Sequence, residues 1–262
     1  MSELSGRVAV VTGGGRGIGR AISELLAAHG ATVAVNYRRD ADAARDTVDA
    51  ITAAGGSAAA FAASVDDAAE CASLVDTVIG RFGGIDLLVC NAGVASRGRA
   101  VADTDPDELQ RVVATHAFGP HYLCRAALPS MRARASAPGG RGDIVMISSV
   151  ATSSMSANGA PYNMGKAAME ALAFGLAKEE RRHNIHVNVV APGLVETDMG
   201  VRLTRAMTGN RELEDLRSLD AVSPFGRVCQ PSDIAEVVRW LCSAGAGYVT
   251  GQRIEVDGGG RG

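Results

Sequence analysis

Lysine is nearly missing from this 262-residue chain: of its 26 basic residues only Lys166 and Lys178 are lysines, and the rest are arginines. Those arginines form no cluster beyond short pairs, and the net charge is -3 with a pI near 6.0, which argues against a nucleic-acid surface. Aromatic residues are scarce at 4%, so the core that 47% hydrophobic residues can build is mainly one of Ala and Val. No apolar run approaches membrane length, and Met1 to Arg7 lack a signal-peptide design, so no membrane partner and a cytoplasmic setting are expected. Five scattered cysteines (Cys71, Cys90, Cys124, Cys229, Cys242) show neither metal-ligand spacing nor an even count for disulfides. They read as small buried hydrophobes in a reducing compartment, with no metal site.

What is present is strand–helix alternation. Apolar, β-branched runs at Arg7–Thr12, Ala31–Tyr37, Ile85–Asn91, Asp143–Ser148, Ile185–Ala191 and Gln252–Val256, with a weaker one at Ser57–Ala63, predict strands covered on both faces. Helical periodicity starts at Ile18, Ala21, Ile22, Leu25 and Leu26 and recurs at about 41–54, 67–82, 105–135, 160–182 and 232–243. The expected architecture is a single α/β domain over 1–262, a doubly wound parallel sheet of about seven strands with helices on both faces. The stretch 194–224 lacks a strand and interleaves Met and Leu with charges; it reads as a lid over the site or as a surface insertion.

The first strand runs into Thr12-Gly13-Gly14-Gly15-Arg16-Gly17-Ile18-Gly19. A glycine-rich turn before an amphipathic helix lets the backbone approach a pyrophosphate, and the helix N-terminus offers free N–H groups and a positive dipole end. A dinucleotide site over Gly13, Arg16, Gly17, Ile18 and Gly19 follows, although Gly13, Gly17 and Gly19 are spaced G-x-x-x-G-x-G. At the end of the second strand an acid would bind a ribose 2′-OH and an arginine a 2′-phosphate. Here Arg38 and Arg39 precede the first acid, Asp40, and Arg16 adds charge from the turn, so NADP(H) is favoured over NAD(H); solvated arginines are the alternative.

Lys166 stands four residues after Tyr162, on the same face of the helix expected there. An ammonium beside a phenol favours the phenolate, and such a pair is a candidate proton donor to a carbonyl. With the glycine turn, Cys90-Asn91-Ala92-Gly93 after the fourth strand, Ser149 after the fifth, and Pro192-Gly193, this order resembles the short-chain dehydrogenase/reductase family over the whole chain. Within its short, single-domain branch the likeness is greatest to 3-oxoacyl-carrier-protein reductases. The resemblance implies that Tyr162 protonates the carbonyl as hydride arrives from the nicotinamide, that Lys166 lowers the pKa of Tyr162 and holds the nicotinamide ribose, and that Ser149 holds the substrate oxygen. It also implies cofactor contacts at Asn91, Ala92, Gly93, Pro192, Gly193, Val195 and Thr197, and a homotetramer built through the long helices and the C-terminal segment. A local cap stays open for Ser149, and a helix N-cap for Thr197.

Two positions depart from the family pattern. His116, in Val113-Ala114-Thr115-His116-Ala117-Phe118-Gly119, replaces the usual Asn that helps hold a relay water behind the lysine. Either the imidazole takes over that role, with a pKa that makes the relay pH-sensitive, or it is a buried histidine satisfying a helix kink beside Gly119-Pro120. The usual adenine-contacting Asp appears as Ser64, next to Val65, itself expected at the cofactor. The leading expectation is an NADP(H)-dependent reductase of a small-molecule or acyl-carrier-bound ketone. The alternatives are an alcohol, sugar or steroid dehydrogenase working oxidatively, and a catalytically silent nucleotide-binding sensor or scaffold. Met155, Leu194, Met199, Leu203 and Met207 suggest an apolar pocket, and Arg97, Arg99, Arg202 and Arg205 are candidates at a carrier entrance.

Overall fold

A computed structural model describes residues 3–259 apart from 209 and 211, with the side chains of 206–208 also left undescribed. The elements run β1 (Val8–Val11), α1 (Gly17–Ala28), β2 (Thr32–Tyr37), α2 (Ala41–Ala53), β3 (Ser57–Ala62), α3 (Ala68–Phe82), β4 (Leu87–Cys90) and α4 (Pro106–Val113). After a π-turn at Ala114–Phe118 come α5 (Gly119–Ala135), β5 (Gly142–Ile147), α6 (Ala151–Ser154), α7 (Ala160–Glu180), β6 (Ile185–Pro192), α8 (Asp198–Thr208), α9 (Pro231–Leu241) and β7 (Arg253–Val256). All seven strands are parallel in the order β3-β2-β1-β4-β5-β6-β7.

Because successive strand residues point to opposite faces, each strand feeds two cores. Val8 and Val10 lie in one, against Leu74 and Val78 of α3, Leu123 and Met131 of α5, and Met169 of α7. Ala9 and Val11 lie in the other, with Ile22 and Leu26 of α1, Ile51 of α2, and Ile234 and Val238 of α9. The fold is thus the single doubly wound domain expected, the weak third strand included. The chain order reverses between β1 and β4, which pair directly, and in such sheets the crevice beyond the strand ends at that point receives ligands.

The helix predicted over 105–135 is interrupted. Pro120 has no N–H, and its ring crowds the carbonyl one turn back, at His116. The Gly119 amide instead bonds the Ala114 carbonyl five residues earlier, which makes the π-turn. Residues 195–229 carry their own small core of Val201, Leu216 and Val228, tied to the sheet by a parallel bridge from Val195 to Cys229.

Candidate active site

The glycine turn is braced from behind. Gly13 and Gly17 take positive φ, 61° and 53°, and a Cβ on Gly19 would run into the Gly13 carbonyl and come within 2.6 Å of Asn91 Nδ2. Asn36, a polar residue closing an apolar strand, accepts from Gly13 N at 3.4 Å, and its carbonyl accepts from Gly14 N at 2.9 Å. Ser23 Oγ donates to Gly19 O at 2.9 Å and Thr47 Oγ1 lies 3.1 Å from Gly15 O. The first turn of α1 has neither a side-chain cap nor an acidic residue. Its N–H groups therefore face the crevice with the dipole's positive end, a cradle that suits a dinucleotide pyrophosphate.

Asn91 joins β4 to this turn: its Nδ2 donates to Thr12 O at 2.8 Å and Gly13 O at 3.3 Å, while Thr12 Oγ1 accepts from Asn91 N and Ala92 N. Its side-chain nitrogen is spent on the protein's own backbone. Thr197 approaches from across the crevice, its methyl 3.2 Å from where a Cβ on Gly17 would sit, and its hydroxyl accepts from Gly200 N at 3.0 Å. It therefore acts as the α8 N-cap. Gly193 follows buried Pro192, its amide donating to Val256 O at 3.0 Å, and Val195 is buried. Ile18 packs partly into the second core and Val65 fully into the first.

The arginines expected to read a 2′-phosphate lie beside acids: Arg16 3.7 Å from Asp40, and Arg38 3.5 Å from Asp66. Both arginines are exposed, so these pairs hold weakly and can yield to a phosphate. Arg39 is exposed. The Ser64 hydroxyl donates to Asp66, which places an acid two residues beyond the expected one.

On α7, Tyr162 and Lys166 share the expected face, with Lys166 Nζ 5.8 Å from the Tyr162 ring centroid. Nζ donates to Ile147 O at 2.6 Å and is fully enclosed, and the loss of hydration brings its pKa down to about 7. The expected depression of the Tyr162 pKa by Lys166 does not occur in this arrangement. Desolvation raises the phenol, and the opposing influence is its hydrogen bond with Ser149. Lys166 lies under the ring and carries only part of its charge near neutrality, so burial wins. Ser149 Oγ also accepts from Ala151 N at 3.2 Å, so the local cap and the contact with Tyr162 coexist.

His116 sits on the π-turn, fully buried, in a niche where a Cβ on Gly93 would meet its Cε1 and a Cβ on Gly165 its Cβ, each at 2.8 Å. Its ring meets Tyr162 edge-to-face, with centroids 5.1 Å apart and planes at 77°. Nε2 lies 2.8 Å from Val94 O and 3.3 Å from Val94 N; the nearer carbonyl can only accept and so favours the proton on Nε2, while Nδ1 is buried with no hydrogen-bond partner among the described residues. Burial first, then the Lys166 charge, push its pKa down to about 3, so the pH-sensitive relay expected near neutrality is corrected to a neutral imidazole. Between pH 6.5 and about 3 the unfolded chain binds a proton that the native one does not. Stability therefore falls with acidification through that window, by about 1.4 kcal/mol per pH unit. His116→Asn is expected to keep or raise turnover, leave the pH–kcat profile from pH 5 to 8 unshifted, and flatten the acid loss of stability. Loss of turnover, or of an inflection near pH 6.5, would restore an essential or titrating role.

One group that sequence reasoning passed over lies behind Ser149. Glu170, one further turn along the Tyr162–Lys166 face, accepts from Ser148 Oγ at 2.5 Å and from Arg253 Nε at 3.0 Å. The four-residue spacing from Lys166 is the only local signal for it.

Residues 13–260 match the family model described as Enoyl-(Acyl carrier protein) reductase. The chain is 37% identical to a versicolorin reductase of Emericella nidulans over 98% of this chain and 96% of that one. It is 35% identical to the tetrahydroxynaphthalene reductase of Pyricularia oryzae over 98% and 90%. The solved structure of an angucycline C-6 ketoreductase with bound NADP superposes with a TM-score of 0.84 at 34% identity, over 98% and 96% of the two chains. With this sheet order and this strand-end crevice, the chain belongs to the short-chain dehydrogenase/reductase family, as an oxidoreductase acting on C=O/CH–OH groups.

Proposed function

We propose that the protein is an NADP(H)-dependent reductase of cyclic, hydroxyaromatic ketones, with Tyr162 as the proton donor. The observation that carries this is the Ser149–Tyr162 hydrogen bond above buried Lys166, at the strand ends that also hold the uncapped glycine turn. Desolvation keeps the phenol protonated, the form a general acid needs. Ser149 Oγ, beside it, orients the carbonyl oxygen toward that proton. Lys166, part-charged near neutral pH, restores a proton after transfer. His116 holds the Tyr162 ring and the loop at Val94 in place. The cofactor supplies hydride when bound; the backbone of Gly13, Arg16, Gly17, Ile18 and Gly19 would hold its pyrophosphate and Arg38 its 2′-phosphate. Ala92, Gly93, Pro192, Gly193, Val195 and Thr197 line the way to the reacting end, with Val65 and Asn91 bracing the adenosine side through backbone.

The substrate class is supported by the versicolorin, tetrahydroxynaphthalene and angucycline reductases it resembles, and by exposed Met155, Leu194 and Leu203. Met199 is partly buried, and the Met207 side chain lies outside the described residues. The arginines expected at a carrier entrance divide: Arg205 Nε donates to Leu213 O at 2.7 Å and Arg97 pairs with buried Glu108, while Arg99 and Arg202 are exposed. The segment 194–224, with its own small core, is read as the lid over that substrate. Exposed Phe118, Met164, Phe225 and Tyr248 suit faces of a homotetramer, and five free cysteines suit a reducing cytoplasm. Among the described residues no helix is long and apolar enough to cross a membrane.

Following NADPH absorbance against a panel of polycyclic ketones, 3-oxoacyl thioesters and secondary alcohols tests the reading. Turnover of the first set is expected; tight NADPH binding without turnover of any compound would favour the silent sensor. Calorimetric titration should show NADPH binding about 10- to 100-fold tighter than NADH, the worth of charge-assisted hydrogen bonds to one phosphate. Arg38→Ala should remove that preference. Tighter NADH binding would sink it.

A further inference from the structure

The C-terminal strand reaches the backbone of Ser149 through the side chain of Arg253. From β7, Arg253 directs Nε to Glu170 Oε1 at 3.0 Å and Nη2 to both Ser149 O at 3.1 Å and Thr152 Oγ1 at 2.8 Å, while Nη1 meets Glu255. The Glu170 oxygen that receives Nε also receives Ser148 Oγ at 2.5 Å and lies 2.8 Å from Thr152 Oγ1. The polar neighbours of Ser149 on both sides, 148 and 152, thus converge on one carboxylate, and its own carbonyl is held by the same guanidinium. Glu255 adds Ser153 Oγ at 3.1 Å, so α6 is fastened to β7 at two successive residues.

We propose that Arg253 is a positioning residue, which through Glu170 and Thr152 fixes the backbone at Ser149 so that its hydroxyl faces Tyr162. The inference rests on the reading of Ser149 as the group that orients the substrate oxygen. Stability alone accounts poorly for the cluster. Arg253 and Glu170 side chains are only 17% and 12% exposed, and pairs this desolvated contribute little net stability against apolar residues of similar volume. What the fork does supply is geometry: its planar, spread donors engage a carboxylate, a hydroxyl and a carbonyl in a fixed arrangement that a compact ammonium on a flexible stem does not reproduce. Displacement of a substrate-orienting group by about an ångström can cost up to about 100-fold in rate.

The test is a double-mutant cycle with Arg253→Met and Arg253→Lys, each made in the wild type and in Ser149→Ala, with kcat, ketone KM and NADPH Kd measured. Arg253→Lys keeps a positive partner for Glu170, so it covers the case in which Arg253→Met fails to fold. The expected result is about a tenfold loss of kcat for either variant, with NADPH Kd unchanged within twofold, and no further loss when Ser149 is already alanine. A loss of the same factor in both backgrounds, or wild-type kcat in Arg253→Lys with Ser149→Ala impaired, would overturn the proposal alone. Wild-type kcat in Ser149→Ala would overturn the reading beneath it.

Discussion

Tyr162→Phe should lower kcat by about a thousandfold while leaving NADPH affinity within a few-fold of wild type. The substitution removes one oxygen from a ring whose other contacts remain: the edge-to-face packing on His116 and the ammonium beneath it. It removes the phenolic proton beside the Ser149 hydroxyl. Positioned proton donors are worth about 10² to 10⁴ in rate, and a general acid without a substitute nearby should fall toward the upper half of that range. Ser149→Ala should cost less, about a hundredfold, because it loosens the carbonyl without removing the proton. Stopped-flow absorbance of NADPH separates the two effects, since binding and turnover give distinct signals. A Phe variant that retains more than a tenth of wild-type kcat would move the proton donor elsewhere.

Lys166→Met should cost activity and yet stabilise the folded protein without cofactor. Holding a lysine at a pKa of about 7 means that the native state resists the proton which the unfolded chain keeps up to about pH 10.4. Between those values the unfolded state binds more protons, so wild-type stability rises with pH across the window and carries its full cost below it. A depression of that size costs on the order of 5 kcal/mol. Methionine is close in length to the buried lysine stem and carries no charge, but it leaves Ile147 O without the 2.6 Å bond, which returns about 1–3 kcal/mol of the gain. The net expectation is a melting temperature raised by roughly 4–8 °C at pH 7, with the difference from wild type shrinking toward pH 10. Turnover should drop about a hundredfold or more. Differential scanning calorimetry across pH 6–10 checks the sign. A variant that melts below wild type at pH 7 would show that the ammonium's bond outweighs its desolvation.

These two residues also mark how far the sequence was legible. Their four-residue spacing placed them on one face, and the glycine turn, Asn91 and Ser149 fell at strand ends because continuous apolar runs such as Ile144-Val145-Met146-Ile147 declare a covered strand. The depth of Lys166 was not legible. Its pKa depends on how completely β5 and the π-turn enclose it, and that is a property of packing. For the same reason the expected depression of the Tyr162 pKa by Lys166 is absent: local spacing brings a charge near, but desolvation decides which form of each group survives. Asn91 falls just past β4, where the Thr12 and Gly13 carbonyls of the glycine turn take its side-chain N–H groups. The π-turn was half visible, since Gly119-Pro120 announces a kink without saying that the ladder would shift to a five-residue bond. Glu170 carried only its four-residue spacing from Lys166, and nothing in the sequence joins it to Arg253, 83 residues away.

The most direct test of the central claim is the position of a bound ketone. In a crystal structure with NADP(H) and a polycyclic hydroxyaromatic ketone, the carbonyl oxygen should lie about 2.6–3.2 Å from both Tyr162 Oη and Ser149 Oγ. A ketone oxygen held by other groups, with Tyr162 still turned to Ser149 alone, would contradict the account.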